Sequence, residues 1–220
     1  MVFRTSKRHL FVRIFYLLIG LLISSFGTQA MIVASIGLNP RGILIQGIIN
    51  QTQLRYGLVV QLLGLVLILI SAFFHRYPGI GTICNVSFLG PFVDLFALLP
   101  IWKTPETLPL QIIYFLVGQV ILSFGMAIYL SQELGAGPRD GIMVMLIQLP
   151  HGSVVRARTL LDGFSAIVGY FLGGPIGIGS VLAVTLSGIT LKYCFCIIGS
   201  DPKKFYQENI LETIQSLRNK

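Results

Sequence analysis

Long apolar segments alternate with short polar ones along almost the whole chain. Six segments approach the length of about 20 residues that a helix needs to cross a bilayer. Two further apolar stretches, 43–49 and 142–149, are too short to cross and are typical of re-entrant or interfacial helices. The pattern predicts an all-α, polytopic membrane helix bundle with about six transmembrane helices. The six segments are approximately residues 11–34, 56–74, 80–100, 109–131, 157–174 and 176–199.

Composition agrees with a chain whose main partner is the lipid bilayer. Hydrophobic residues make up 54% and charged residues only 11%, against about 25% charged residues in soluble domains. The basic start resembles the beginning of a signal peptide, but the first apolar run is too long for one and has no convincing cleavage site. We therefore expect a retained first helix and no substantial soluble domain.

Positive charge is scattered around the apolar segments, although the net charge is +8. This distribution indicates orientation in a membrane and argues against a nucleic-acid partner. Six crossings with the N-terminus inside would leave only Arg41, Arg55 and Lys103 outside, and the other 13 of the 16 basic residues inside. The asymmetry predicts a multi-pass protein with both termini in the cytoplasm.

The chain also matches itself when it is shifted by 98 residues. The matches are mostly Gly, Pro and Arg, which chance would not favour in apolar sequences, so they indicate a duplication. We predict a first three-helix repeat over 1–108, a second over 109–200, and a cytoplasmic amphipathic tail over 201–220. Three crossings per copy would invert the second copy relative to the first. The matches include Gly20 with Gly118, 25–27 with 123–125, Gly37 with Gly135, 40–41 with 138–139, and 79–81 with 177–179.

Each repeat is interrupted at an equivalent place. In the second repeat, Pro138 lacks a backbone donor, and Gly135, Gly137 and Gly141 allow backbone geometries that side chains would block. Pro40 marks the equivalent break in the first repeat. Interrupted segments in inverted repeats are typical of transporters, where half-helix ends meet and hold a polar ligand. The alternative is that both breaks are ordinary connecting loops on opposite membrane faces.

The second break and the helix after it carry the main candidate site. Arg158 and Asp162 are spaced i,i+4 and can pair on one helix face. Arg139 and Asp140 are adjacent, so each needs a partner elsewhere, and Asp162 is a candidate partner for Arg139. Ionisable groups inside a bilayer are costly unless they are paired or wetted. These four residues form either a functional polar cluster or a structural ion-pair network at the cytoplasmic rim.

The first repeat offers two further candidates and a pair of packing motifs. Asp94 is either a proton or cation carrier or a capping group near the outer surface, and Arg41 is the outer counterpart of Arg139. Small residues at the start of the third helix of each repeat indicate close helix packing. These are Gly79 and Gly81 in the first repeat, and Gly177 and Gly179 in the second.

No catalytic, cofactor or metal site is visible in the pattern. The three histidines, His9, His75 and His151, lie at segment edges without carboxylates at catalytic spacing. Cys84, Cys194 and Cys196 form no CxxC pair and are more typical of small packing residues. We expect no enzyme activity, no cofactor and no bound metal.

The tail has an amphipathic pattern. Asp201 can cap a helix with Pro202 in its first turn, and Tyr206, Ile210, Ile214 and Leu217 would then share one face. The pattern predicts an interfacial amphipathic helix. The alternative is a frayed, solvent-exposed tail.

These motifs resemble the bacterial YczE/YyaS/YitT-type integral membrane proteins. Residues 135–141 are similar to the family's Gly-Ala-Gly-Pro-x-Asp-Gly signature, and residues 158–162 resemble an Arg-Thr-x-x-Glu element with Asp in place of Glu. Further similar segments are 78–82 with Asn85, 90–91 with Asp94, and 173–180. Residues 39–41 depart from the more usual Gly-Pro-Trp-Asp. The resemblance implies a location in the bacterial inner (plasma) membrane and no agreed substrate.

Two functions follow as expectations. The first is a transporter or permease-like protein for a small molecule or ion, driven by an ion or proton gradient because no nucleotide-binding motif is present. Asp94 and Asp162 are then the first carriers to test. The second is a non-transporting accessory or scaffold protein that supports a cytoplasmic biosynthetic enzyme. The protein partners left open are such an enzyme and further copies of this chain in a homo-oligomer. Production of a lipopeptide, to which one family member is linked, fits either function.

Overall fold

The computed structural model describes residues 7–73 and 78–218, and within these ranges all regular structure is helical. A 3₁₀ turn at Pro202–Lys204 separates the last two α-helices. The α-helices are α1 (Lys7–Val33), α2 (Pro40–Thr52), α3 (Tyr56–Phe73), α4 (Ile80–Ala97), α5 (Leu108–Leu130), α6 (Pro138–Gln148), α7 (Val154–Phe171), α8 (Ile178–Ile198) and α9 (Ile210–Arg218).

Four helices in the described chain are long and apolar enough to cross a membrane, namely α1 from Leu10, α4, α5 and α8. Helix α2 and the first part of α3 qualify together as a span bent by 107°, which raises the number to five. Helix α7 has 18 residues but carries Arg156, Arg158 and Asp162. The structure therefore shows an all-helical bundle with four to five candidate spans.

The two short helices begin at the predicted breaks. Pro40 and Pro138 occupy the first turns of α2 and α6, where a missing N–H costs nothing. The loops that precede them contain Gly37 and Gly135, whose φ angles of 116° and 100° favour glycine. The prolines and glycines thus end one helix and start the next, as the sequence predicted.

Helices α1 and α5 form the centre of the bundle. Gly20 packs on the backbone of Gly125, and Gly27 packs on that of Gly118, so the two helices run antiparallel. A side chain at any of these four glycines would overlap the opposing backbone. This close approach, typical of helices in membranes, brings the polar residues of α5 near those of α1.

The remaining helices pack around this pair in a regular way. Helix α4 contacts α1 and α3, while α8 contacts α5 and α7. A carbonyl of each break loop accepts a hydrogen bond from the first turn of α4 or α8 in the other half. Gly81 N–H donates to Leu134 O at 2.7 Å, and Gly179 N–H donates to Ile36 O at 2.9 Å. Because Gly79 and Gly177 lie against the same loops, side chains there would overlap backbone atoms.

The C-terminal residues fold differently from the single helix that the sequence predicted. The Asp201 carboxylate accepts from Lys203 N–H, but it caps only a 3₁₀ turn. Residues 205–209, here named the C-terminal strap, are non-helical and lie on the bundle, and α9 begins only at Ile210. Tyr206 therefore lies outside α9 and is 60% exposed. The side chains of Ile214 and Leu217, the rest of the predicted stripe, fall outside the description.

Candidate functional site

A small polar cavity lies where the two helix breaks meet. Its volume is about 30 Å³, room for about two water molecules. Side chains from both halves of the chain line it, and most of them are polar. The polar lining consists of Thr28, Asn39, Arg41 and Tyr56 from the first half, and Gln119, Tyr129, Arg139, Asp140, Arg158, Asp162 and Ser187 from the second.

Asp162, on α7, is the centre of the charged network. It accepts from Arg139 Nη2 at 2.6 Å and from Arg158 Nε at 3.1 Å, and Ser187 Oγ also donates to it. Only 1% of Asp162 is exposed. A buried carboxylate in this setting holds its charge through these charge-assisted hydrogen bonds. Asp162 therefore ties the start of α6 to α7 and α8.

Asp140 forms a second, linked pair. The Tyr129 hydroxyl donates to its carboxylate, and Arg158 Nη1 lies 3.8 Å from its other oxygen. Asp140 does not pair with its neighbour Arg139. The two adjacent residues instead reach partners on α5 and α7, so the first turn of α6 is held from two sides.

Arg41 reaches the same cavity from the other half of the chain. It is the second residue of α2, as Arg139 is the second residue of α6, and both side chains line the cavity. Arg41 has no hydrogen-bond or ion-pair partner among residues 7–73 and 78–218.

Asp94 does not line this cavity. Its two carboxylate oxygens lie 3.1 and 3.3 Å from Gly57 N, in the first turn of α3. A carboxylate there satisfies an otherwise free amide and complements the positive end of the helix. Its position corresponds to the capping alternative that the sequence left open.

The glycines of the second break differ in what they do. Gly135 packs on Gly79, and Gly137 packs on the Asn85 side chain, so neither leaves room for a larger residue. At Gly141, by contrast, an added Cβ would have its nearest neighbour 4.0 Å away. The packing therefore requires glycine at 135 and 137 but not at 141.

Sequence reasoning missed several residues of the cavity, notably Gln119, Tyr129 and Ser187. The signal for Gln119 was present, because it is a polar residue in the middle of an apolar segment and is followed by Ser123 one turn later. Tyr129 and Ser187 carry no comparable signal. Tyrosine is common near helix ends, and serine packs well in any membrane helix.

A larger pocket of about 460 Å³ lies on the other side of α6. Gly137, Pro138 and Gly141 line this pocket, whereas Arg139 and Asp140 face the polar cavity, so the first turn of α6 separates the two spaces. The C-terminal strap lines the pocket as well. We call this pocket the vestibule.

The C-terminal strap is bound to the bundle by several contacts. Gly135 N–H donates to Gln207 Oε1 at 3.1 Å, and Gln148 Nε2 donates to Phe205 O at 2.6 Å. Glu208 pairs with Arg13 at 3.1 Å, and its amide donates to the carbonyl of Glu133. Burial raises the pKa of the nearby Glu133 carboxyl above its usual value. The strap therefore connects the second break to α1.

Comparison with known proteins identifies the family. A family described as being of unknown function, DUF6198, matches residues 11–195. The chain belongs to the DUF6198 family. The chain is 32% identical to an uncharacterized protein of Haemophilus influenzae over 192 residues, which are 87% of each chain.

Two Bacillus subtilis relatives match the predicted resemblance. The uncharacterized membrane protein YczE is 29% identical, over 85% of this chain and 87% of its own length. The uncharacterized protein YyaS is 28% identical, over 82% of this chain and 90% of its own length. No solved structure matches the chain. Together with the apolar helices, the likeness to YczE identifies this DUF6198 chain as a membrane protein.

The cavity of this DUF6198 protein is lined mainly by charged and hydrogen-bonding side chains. In the part of the chain that the structure describes, no group of three His, Cys, Asp or Glu side chains is placed to hold a metal. What the cavity offers is guanidinium groups, hydroxyls and two carboxylates already engaged by arginine. These groups can form hydrogen bonds and ion pairs with a polar or charged group.

Proposed function

We propose that this DUF6198 protein is a transporter or permease-like protein that moves a small polar solute through the cavity. One observation carries the proposal: Arg41 and Arg139, 98 residues apart, line a common cavity from the N-terminal turns of α2 and α6. Two broken helices whose N-termini converge on one polar site are typical of transporters built from inverted repeats.

The proposed architecture is a pair of inverted repeats with six crossings and both termini in the cytoplasm. Backbone geometry supports it, because positive φ angles recur at the 98-residue offset. They occur at Ser35 and Glu133, at Gly37 and Gly135, and at Gln53 and His151. The antiparallel packing of α1 on α5, which are equivalent under that offset, also supports inversion. On this proposal α7 is the least apolar crossing.

The proposed mechanism is alternating access. The cavity holds about two waters, so a larger solute enters only if one wall moves. The first turn of α6 is such a wall, because it alone separates the cavity lining at Arg139 from the vestibule lining at Pro138. Helix α2 has the equivalent position on the opposite side. Because no nucleotide-binding motif is present, an ion or proton gradient supplies the energy.

Transport is tested with purified protein in liposomes. We expect wild-type protein to move at least one of a panel of small charged and neutral solutes faster than empty liposomes, with or without a pH gradient. Arg139→Gln should abolish this flux because it removes a cavity charge, whereas Arg55→Gln, at the exposed start of α3, should not. A panel that shows no flux above empty liposomes contradicts the proposal.

Inversion is tested separately with a matched pair of exposed sites. Gln53 follows α2 and His151 follows α6, at equivalent positions with φ angles of 56° and 61°. In a background lacking the native cysteines, Gln53→Cys should react with an impermeant thiol reagent only from outside the cell. His151→Cys should react only from inside. Labelling of both from the same side contradicts the inverted repeat.

A further inference from the structure

The charges that line the cavity do not balance. Three guanidinium groups, of Arg41, Arg139 and Arg158, face two carboxylates, of Asp140 and Asp162. Both carboxylates already pair with arginine, and each accepts a hydrogen bond from a hydroxyl group, Asp140 from Tyr129 and Asp162 from Ser187. One positive charge is therefore left over in a small, partly enclosed space, where an uncompensated charge is unfavourable.

The surplus charge belongs to Arg41. It is partly buried, it faces the cavity, and within the described chain no acceptor reaches it. The two helices that begin at the cavity, α2 with 13 residues and α6 with 11, add the positive ends of their dipoles. Both contributions favour a negatively charged ligand.

A second observation restricts the ligand further. Gln119 is 2% exposed and lines the cavity, and its Nε2 donates to Ser123 and Thr190. Its Oε1 is buried and has no hydrogen-bond partner within the described part of the chain. A buried acceptor without a donor costs free energy, so a ligand that donates a hydrogen bond to Gln119 Oε1 would complete the site.

We infer that the cavity binds a small monovalent oxyanion that carries its own hydroxyl donor, as bicarbonate and glycolate do. The negative oxygens pair with Arg41 and the two helix N-termini, and the hydroxyl donates to Gln119 Oε1. The small cavity favours a ligand of a few heavy atoms, and even this ligand enters only when one wall moves, as the proposed mechanism requires. This inference deepens the proposed function, because it names the substrate class of the same cavity.

The test is ligand binding to the full-length protein in detergent, measured as the rise in melting temperature over an equal concentration of sodium chloride. Two pairs of probes match in charge and differ in the donor: glycolate with acetate, which lacks only the hydroxyl group, and bicarbonate with nitrate, which is also similar in size. We expect the donor-bearing member of each pair to bind about fivefold more tightly, the worth of one net hydrogen bond. No stabilisation by either glycolate or bicarbonate beyond that of chloride overturns the inference.

Two variants assign the parts of the site. Arg41→Gln should weaken glycolate binding roughly tenfold or more, because it removes a charge-assisted hydrogen bond. Arg55→Gln removes the same charge from an exposed position outside the cavity and should bind as wild type does. Gln119→Leu should abolish the preference for glycolate over acetate. Unchanged binding in Arg41→Gln, or an unchanged preference in Gln119→Leu, overturns the assignment, and melting temperatures without ligand establish that each variant is folded.

The binding assay and the liposome assay distinguish failure of the anion-site inference from failure of the transport proposal. The binding assay needs neither a membrane nor a gradient. Protein that binds glycolate but moves no solute across liposomes supports the anion site and contradicts the proposed transport. Protein that carries cations or neutral solutes but binds neither oxyanion supports transport and overturns the anion site.

Discussion

The two helix breaks share a backbone plan and differ in their charges. Each has a glycine with positive φ two residues before the N-cap of the short helix, then proline and arginine in the first turn. Beyond this plan, Asn39 caps α2, whereas Gly137 precedes α6 without a side-chain cap. Asp140 in α6 corresponds to Gly42 in α2, and Asp162 in α7 corresponds to Gly64 in α3.

The difference shows that a nearly symmetric scaffold carries an asymmetric site. Both carboxylates of the cavity come from the second half, where they engage Arg139 and Arg158. Arg41, from the first half, is left without a carboxylate within the described chain. The second break also has the vestibule and the C-terminal strap beside it. Four predictions test which features the two helix breaks share and which belong to one of them.

The largest expected effect comes from removing the charge of Asp162, which has no counterpart in the first half. Asp162→Asn should lower the free energy of unfolding by about 3–5 kcal/mol, because it leaves buried arginines with one carboxylate fewer. Reversible unfolding in mixed detergent micelles, compared with wild type, measures the loss. If Asp162→Asn is as stable as wild type, the ion-pair network does not hold the second break.

The shared backbone plan predicts equal effects in the two halves. Gly37→Ala and Gly135→Ala should each cost about 1–3 kcal/mol, since both φ angles are unfavourable for alanine. An added Cβ would also lie 2.8 Å from Gly177 N in the first case and 2.6 Å from Gly79 Cα in the second. Unfolding measurements on both variants, compared with wild type, test whether the two losses are similar.

Gly141→Ala is the control for this pair. It lies in α6, its Cβ would have its nearest neighbour at an ordinary contact distance of 4.0 Å, and alanine is the better helix former by about 1 kcal/mol. It should therefore be neutral or slightly stabilising. If Gly135→Ala is much less stable than wild type and Gly37→Ala is not, the two breaks are equivalent in sequence but not in structure.

The C-terminal strap should protect the second break alone. Gln207→Ala removes the acceptor of Gly135 N–H, so exchange of that amide with solvent should be about fivefold faster, as one net hydrogen bond of about 1 kcal/mol implies. Hydrogen exchange read by mass spectrometry measures it. Gln61→Ala, which removes an exposed glutamine contact on α3, should leave residues 133–137 unchanged. Unchanged exchange in Gln207→Ala would mean that the strap does not hold the break.

The smallest effect is expected at Asp94. Asparagine caps a helix about as well as aspartate, so Asp94→Asn should change stability by only a few tenths of a kcal/mol and leave transport intact. Asp94→Ala, which cannot cap, should cost about 1 kcal/mol. Loss of flux in a stable Asp94→Asn variant would instead give Asp94 the carrier role that the sequence left open.

The sequence by itself determined the helices before residue 200, the two breaks and the family. Apolar runs, prolines and glycines act over a few neighbouring residues, so the starts of α2 and α6 could be predicted at Pro40 and Pro138. The i,i+4 spacing of Arg158 and Asp162 is equally local, and the structure places the two side chains in contact.

Only the tertiary structure decided which polar groups share a cavity. The packing of α5 and α8 turns Gln119, Tyr129 and Ser187 toward the cavity, and the glycine contacts between α1 and α5 set the rotation of α5. The strap likewise depends on residues far apart in sequence, such as Gln207 and Gly135. Periodicity tells which residues share one helix face, but the orientation of that face follows from the packing of all its neighbours.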